Sequence, residues 1–187
     1  VDRSRGLGDV YKRQVKQFEG EPLDAVLVAA SGCGHTLKQY GELLPGEAGF
    51  SAPVLDVHEF LSQLGLSETF QAQLQPLPKA VAYHDACHMI HGQGIAAQPR
   101  HLLRAIPGLQ LREATEAGVC CGSAGIYNLV QPEEAAALGQ LKAADLSGTG
   151  AQLIASANIG CSLQIRQHLG PDLSLIHISE PTRPIHI

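Results

Sequence analysis

The chain has 187 residues, 44% of them hydrophobic, and a formal net charge of −5. That is enough for one good core or two small ones. The absence of a basic patch, and aromatics at only 4% without tryptophan, speak against nucleic-acid binding. No apolar run approaches the roughly 18 residues a membrane-spanning helix needs. An odd count of five cysteines argues against a disulfide framework and for a reducing, cytoplasmic setting.

Residues 1–14 and 173–187 do not share the pattern of what lies between. They resemble translated sequencing-adaptor read-through, so both are set aside from fold reasoning. From Leu23 to Ala30 the chain is short and apolar, a buried strand, and it ends at Ser31-Gly32. Leu37, Tyr40, Leu43 and Leu44 then recur at helical spacing until Pro45-Gly46, which places Cys33 in a strand-to-helix turn. Val57, Phe60, Leu61 and Leu64 give residues 54–66 the pattern of an amphipathic helix. Gln- and Pro-containing sequence to Pro78 follows and reads as a linker between two α/β units, 15–78 and 79–172.

The second unit starts with a strand over 79–83, left through the turn His84-Asp85-Ala86-Cys87-His88 and an exposed loop at Gly92 and Gly94. A helix is expected over 99–106, closed by Pro107-Gly108, then a strand over 109–113. After a double-cysteine loop, a short helix near 124–129 and a longer one from Gln131 to about Leu146 are expected, the latter with Pro132, Glu133 and Glu134 in its first turn. A strand over 152–157, the turn Asn158-Ile159-Gly160-Cys161 and a helix over 162–168 complete the unit. The fold class is therefore α/β, strand-turn-helix units on a mainly parallel sheet. Cys33, Cys87 and Cys161 each follow the carboxyl end of an expected strand, and in parallel sheets those ends share one edge, where ligands bind.

The most informative stretch is Val119-Cys120-Cys121-Gly122-Ser123-Ala124-Gly125. Adjacent thiols cannot bridge without severe strain, and the small residues after them let the backbone close around a bound group. With the flanking cysteines the pattern is C-x32-C-C-x39-C, read as a thiolate site for an iron–sulfur cluster formed by Cys87, Cys120, Cys121 and Cys161. Two plainer readings stand beside it: a pair of buried thiols without metal, and a zinc site, which the lack of separated close pairs disfavours. His84, His88 and His91 can ligate a metal, tune it from outside, or only shape the loop around Cys87. Asp85 is read as a turn cap or as a partner that orients a histidine. No Ser-His-Asp triad or phosphate loop is present, and Gly92-Gln93-Gly94 lacks the third glycine of a dinucleotide motif.

At these residues the chain resembles the cysteine-rich domain family built on C-x(30-odd)-C-C-G-x(30-odd)-C-x-x-C repeats, to which a heterodisulfide reductase subunit and the iron–sulfur subunits of glycolate oxidase belong. It looks most like the latter, in Tyr83-His84-Asp85-Ala86-Cys87-His88, His91-Gly92-Gln93-Gly94, Pro99-Arg100-His101-Leu102-Leu103 and Cys120 to Asn128. The resemblance implies that Cys87 to Cys161 form a second repeat and that Cys33 matches the last cysteine position of a first one, most of which is absent. It further implies a [4Fe–4S] cluster, with Cys33 an alternative ligand, and a flavin (FAD) on a partner dehydrogenase subunit. Electrons from glycolate oxidation would pass to a quinone-type acceptor, with peripheral membrane association through the complex. Subunits serving lactate utilisation or glycerol-3-phosphate oxidation, a thiol/disulfide redox subunit, and a cluster-free docking domain are the alternatives. One departure limits the carry-over: where the family's final C-x-x-C is expected, this chain reads Cys161-Ser162-Leu163-Gln164.

Overall fold

The computed structural model describes residues 6–44 and 49–178. Its central element is a four-stranded, wholly parallel sheet in the order β4-β3-β5-β6, formed by β3 (Ala80–His84), β4 (Gln110–Arg112), β5 (Leu153–Ser156) and β6 (Ser174–His177). The inner strands β3 and β5 are almost continuously buried, which explains why they read as unbroken apolar runs rather than alternating ones. Val81, Tyr83, Ile154, Leu146 and Ile165 anchor the core between the sheet and its helices. A separate two-stranded parallel pair, β1 (Val26–Val28) and β2 (Val54–Asp56), carries the first unit.

The helices follow the strands. α2 (Ser31–Lys38) and α3 (Tyr40–Leu43) come after β1, α4 (Val57–Leu64) after β2, and α6 (Ala97–Arg104) after β3, with a π-helical turn (His88–Gly92) before it. The long α8 (Pro132–Gly148) begins with Pro132 and two glutamates as its sequence requires, and α9 (Ile159–Arg166) follows β5.

Several expectations are corrected. Residues 54–66 are not one helix: Val54, Leu55 and Asp56 pair with β1, and the helix starts only at Val57, where Asp56 caps it through a capping box with Glu59. The expected linker holds a short helix, α5 (Glu68–Gln71), capped by Ser67. Cys33 lies in the first turn of α2, not in a turn before it. The exposed loop at Gly92 is the π-helical turn. The helix stop at Pro45-Gly46 lies outside the described residues. Of the segments set aside, residues 7–14 form most of α1 (Leu7–Lys16), whose Tyr11 stacks on Tyr40 at 4.5 Å, and residues 174–177 form β6, hydrogen-bonded to β5.

Candidate metal centre

All five cysteines line one cavity of about 580 Å³. The strand-turn-helix units dictate this. β1 runs into α2 and delivers Cys33, β3 runs into the π-helical turn and delivers Cys87, and β5 runs into α9 and delivers Cys161. Cys120 and Cys121 enter from the loop between β4 and α7 (Tyr127–Val130). Cys121 and Cys161 are buried, Cys87 and Cys120 half-buried, and Cys33 exposed at the rim.

The double-cysteine loop closes through left-handed backbone at Gly122 (φ +87°), Ala124 (+30°) and Gly125 (+67°). Gly122 also has no room for a side chain, since a Cβ there would lie 2.4 Å from the Ala135 carbonyl oxygen of α8. This is the close approach that the Cys-Cys-Gly sequence foreshadows.

Four thiols form a contact chain in the order Cys87, Cys120, Cys121, Cys161. Cys120 is the member whose pKa is lowered. Thiol hydrogen bonds from Cys121 and Cys87 hold it well below the usual cysteine range, and the Gly122 N–H donates to its Sγ at 3.4 Å. Cys121 and Cys87 are pushed up in turn, each first by its hydrogen bond to Cys120, with burial adding to both. Thiolate is the metal-binding form of cysteine, so the protein stabilises one at the centre of the donor set.

The histidines divide. One ring nitrogen of His84 and the sulfurs of Cys121 and Cys161 lie within 4.8 Å of one another, all buried. His84 therefore sits beside the inner thiols, not beside Cys87, and Nδ1 meets Ser156 Oγ at 3.1 Å. Burial first, then the Lys142 charge, lowers its pKa to about 3, so the ring is neutral. His88 is the one at Cys87, with Nδ1 3.7 Å from the sulfur. His91 donates from Nε2 to the Gly118 carbonyl at 3.1 Å and braces the approach to the double-cysteine loop. His35, which the sequence did not single out, faces His88 at 5.8 Å and fits only because Gly92 lacks a Cβ.

Asp85 neither caps the turn nor orients a histidine. It is buried in a two-pronged ion pair with Arg100 of α6, Nη1 to Oδ1 at 2.8 Å and Nη2 to Oδ2 at 2.6 Å. Gln164, in the position of the expected last thiolate, does not line the cavity. It is buried, donates to the Ala135 carbonyl at 3.0 Å and accepts from Asn128 Nδ2 at 3.4 Å, tying α9 to α7 and α8. Asn158 caps α9 by accepting from the Cys161 N–H at 3.2 Å, and its Nδ2 donates to buried Ser31 Oγ at 2.7 Å, which joins the Cys161 turn to the α2 turn. Lys142 is almost fully buried and donates to the Glu116 and Ala117 carbonyls, holding the start of the double-cysteine loop against α8. An asparagine before Ile-Gly-Cys was a readable cap signal; a buried lysine within an apolar helix face was not.

The donor set fits a thiolate-held cluster better than zinc. Four thiols that succeed one another along one roomy cavity, two of them adjacent in sequence, do not resemble the separated close pairs of structural zinc sites.

Known proteins place this geometry. Over 182 residues the chain is 34% identical to the probable glycolate oxidase iron–sulfur subunit of Bacillus subtilis, covering 92% of this chain and 41% of that one. Over 162 residues it is 33% identical to a subunit of the fumarate reductase (CoM/CoB) of Methanothermobacter marburgensis, covering 86% and 31%. Over 145 residues it is 31% identical to the glycolate oxidase iron–sulfur subunit of Escherichia coli, covering 76% and 35%. The chain thus spans less than half the length of these three relatives. Residues 81–166, which hold most of β3 through α9 and four of the five cysteines, match the family described as the cysteine-rich domain CCG.

Proposed function

We propose that the chain is the cluster-holding portion of an iron–sulfur electron-transfer subunit of a flavin-linked 2-hydroxy-acid oxidase or dehydrogenase, with glycolate the substrate of the whole complex. Cys87, Cys120, Cys121 and Cys161 are the ligands, and Cys33 stands at the rim as a reserve donor. The carrying observation is the convergence of these four cysteines on one cavity, with the pKa of the Cys120 thiol lowered by hydrogen bonds from Cys121 and Cys87. The naming of two relatives as glycolate oxidase iron–sulfur subunits supports the substrate and the cofactor.

When bound, a [4Fe–4S] cluster supplies one-electron redox chemistry. The chain's own residues do the rest. Cys121 and Cys161 give it a dry inner wall, His84 stays neutral beside them, and the Gly122 N–H donates to sulfur. Hydrogen bonds to sulfur and low exposure are the levers that set such a centre's potential. A flavin-bearing dehydrogenase subunit delivers the electrons, a quinone-type acceptor takes them, and contact with the membrane is peripheral. Among the described residues no helix is long and apolar enough to cross a membrane. In this reading residues 15–78 are the end of a first cysteine-rich repeat and 79–172 a second, and 1–14 and 173–187 lie outside the repeats although α1 and β6 pack against them.

The test is iron and acid-labile sulfide analysis, with electron paramagnetic resonance, on the whole chain reconstituted without oxygen, beside Cys120→Ser. About four iron and four sulfide per chain, largely lost in the variant while circular dichroism is unchanged, is the expected result. A well-folded parent that takes up neither iron nor sulfide sinks the proposal.

A further inference from the structure

A smaller donor set is nested on the inner side of the cysteine cavity. A ring nitrogen of His84 and the sulfurs of Cys121 and Cys161 all lie within 4.8 Å of one another, and each residue is at most 7% exposed. Local structure fixes each donor separately. His84 ends β3, its register partner Ser156 ends β5, and the ring Nδ1 meets Ser156 Oγ at 3.1 Å. Cys161 lies in the first turn of α9, where the Asn158 side chain accepts from its N–H. Cys121 precedes Gly122, whose lack of a side chain lets the loop lie against the Ala135 carbonyl.

This spacing suits a single metal ion. Around tetrahedral zinc, with sulfur at about 2.3 Å and imidazole nitrogen at about 2.0–2.1 Å, donors lie about 3.5–3.8 Å apart. Small side-chain rotations that close the triad by at most about 1 Å would therefore complete the geometry. Two thiolates and an imidazole are the donors of a borderline-soft divalent cation, and zinc is held by such sets without redox chemistry. The sulfurs of Cys121 and Cys161 face a cavity of about 580 Å³, which gives an ion its way in and leaves a fourth position to solvent.

We propose that His84, Cys121 and Cys161 form a site for one Zn²⁺ ion, filled when the cavity holds no cluster. Binding releases the two thiol protons to solvent, since thiolate is the ligating form. The site differs from a four-thiol zinc site in taking only two of the thiols and in requiring the imidazole. Two of its donors are also cluster ligands in the function proposed for the chain, so ion and cluster exclude each other. Only that exclusion rests on the cluster reading; the site itself does not.

The experiment is titration of the whole, iron-free chain with zinc, without oxygen and against a chromophoric chelator, together with X-ray absorption at the zinc edge. Both are repeated on His84→Gln and on His88→Gln, which removes a histidine of the same cavity outside the triad. The parent should take up one zinc per chain, with an imidazole and two sulfurs around it. His84→Gln should bind zinc at least about a hundredfold more weakly, and His88→Gln should bind it as the parent does. If His84→Gln does not fold, the imidazole signature in the parent's absorption spectrum decides. Zinc surrounded by sulfur without imidazole, equal affinity in His84→Gln, loss of zinc in His88→Gln, or no zinc bound at micromolar concentration overturns the inference. Uptake of iron and sulfide is a separate readout, so the zinc site and the cluster fail separately.

Discussion

Replacing Gly122 by alanine separates two costs that the double-cysteine loop imposes. The first is conformational: at φ +87° an L side chain costs about 1–2 kcal/mol. The second is contact. The new Cβ would sit 2.4 Å from the Ala135 carbonyl oxygen and 3.1 Å from its carbon, both backbone atoms of α8 that cannot rotate away. Relief requires the loop and α8 to part, and that carbonyl is the acceptor for buried Gln164, so the hydrogen bond between α9 and α8 goes with it. Leaving a buried polar group unpaired costs about 1–3 kcal/mol, for a total of about 2–5 kcal/mol. Gly125→Ala is the control. It has φ +67° but open space where a Cβ would lie, so it carries the conformational cost alone. Urea denaturation of both variants without oxygen, with no metal added, should place Gly122→Ala below Gly125→Ala by about 1–3 kcal/mol. The reasoning is refuted if the two variants are equally stable, since the Ala135 contact would then cost nothing.

Arg100→Ala leaves Asp85 buried without its cation, and urea denaturation should show a loss of about 3–5 kcal/mol. Arg100→Lys should recover only part of it, because an ammonium cannot reproduce the two-pronged contact; full recovery would show that charge alone suffices. Tyr83 gives a pH test. Burial first, then the Asp85 charge, lifts its phenol far above the ordinary tyrosine value, so the folded chain keeps the proton that the unfolded chain releases near pH 10. Its contribution is complete below pH 10 and lost above, at up to about 1.4 kcal/mol per pH unit. The stability difference between the parent and Tyr83→Phe should fall at that slope above pH 10, and a difference that stays constant from pH 9 to 11.5 contradicts it.

How much of this could be read beforehand depended on the range of the interaction. The apolar runs of β3 and β5 and the Pro-Glu-Glu start of α8 were legible because burial and capping act on neighbours in sequence, whereas the buried strand expected over 23–30 is only Val26–Val28, with Leu27 exposed. β2 was not, because Val54 and Leu55 run directly into the helical spacing of Val57, Phe60 and Leu61, and only pairing with β1 turns three residues into a strand. β6 was missed because residues 173–187 were set aside on the character of their sequence. At the site, parallel topology brings the Cys87 and Cys161 turns to one sheet edge as expected, whereas Cys33 follows a strand of the separate β1–β2 pair and still reaches the same cavity. The partners that fix those turns did not follow from topology. Ser31 and Asn158 are 127 positions apart, and nothing local in Asp85 names Arg100 rather than a helix cap.

Those partners share a logic. The cysteine-bearing segments leave the carboxyl ends of their strands, and although Ala86, Cys121, Ala157 and Cys161 still pack in the core, non-directional packing alone does not set where a sulfur points. Each segment is also tied by a polar side chain: Asp85 to Arg100 beside Cys87, Lys142 to the Glu116 and Ala117 carbonyls before Cys120, and Asn158 to both Ser31 and the Cys161 N–H. Hydrogen bonds of this kind are directional, whereas apolar contacts are not, and a low-dielectric setting strengthens them. The thiols are therefore positioned largely by ties made outside the sulfurs, with the Gly122 N–H and His88 Nδ1 adding contacts to Cys120 and Cys87 themselves. Gln164 belongs with these ties: its amide binds α7 and α8 and leaves the donor set to the four thiols that touch. A side chain in the expected place of a ligand has become part of the frame that holds the ligands, which is why the departure in sequence does not dismantle the site.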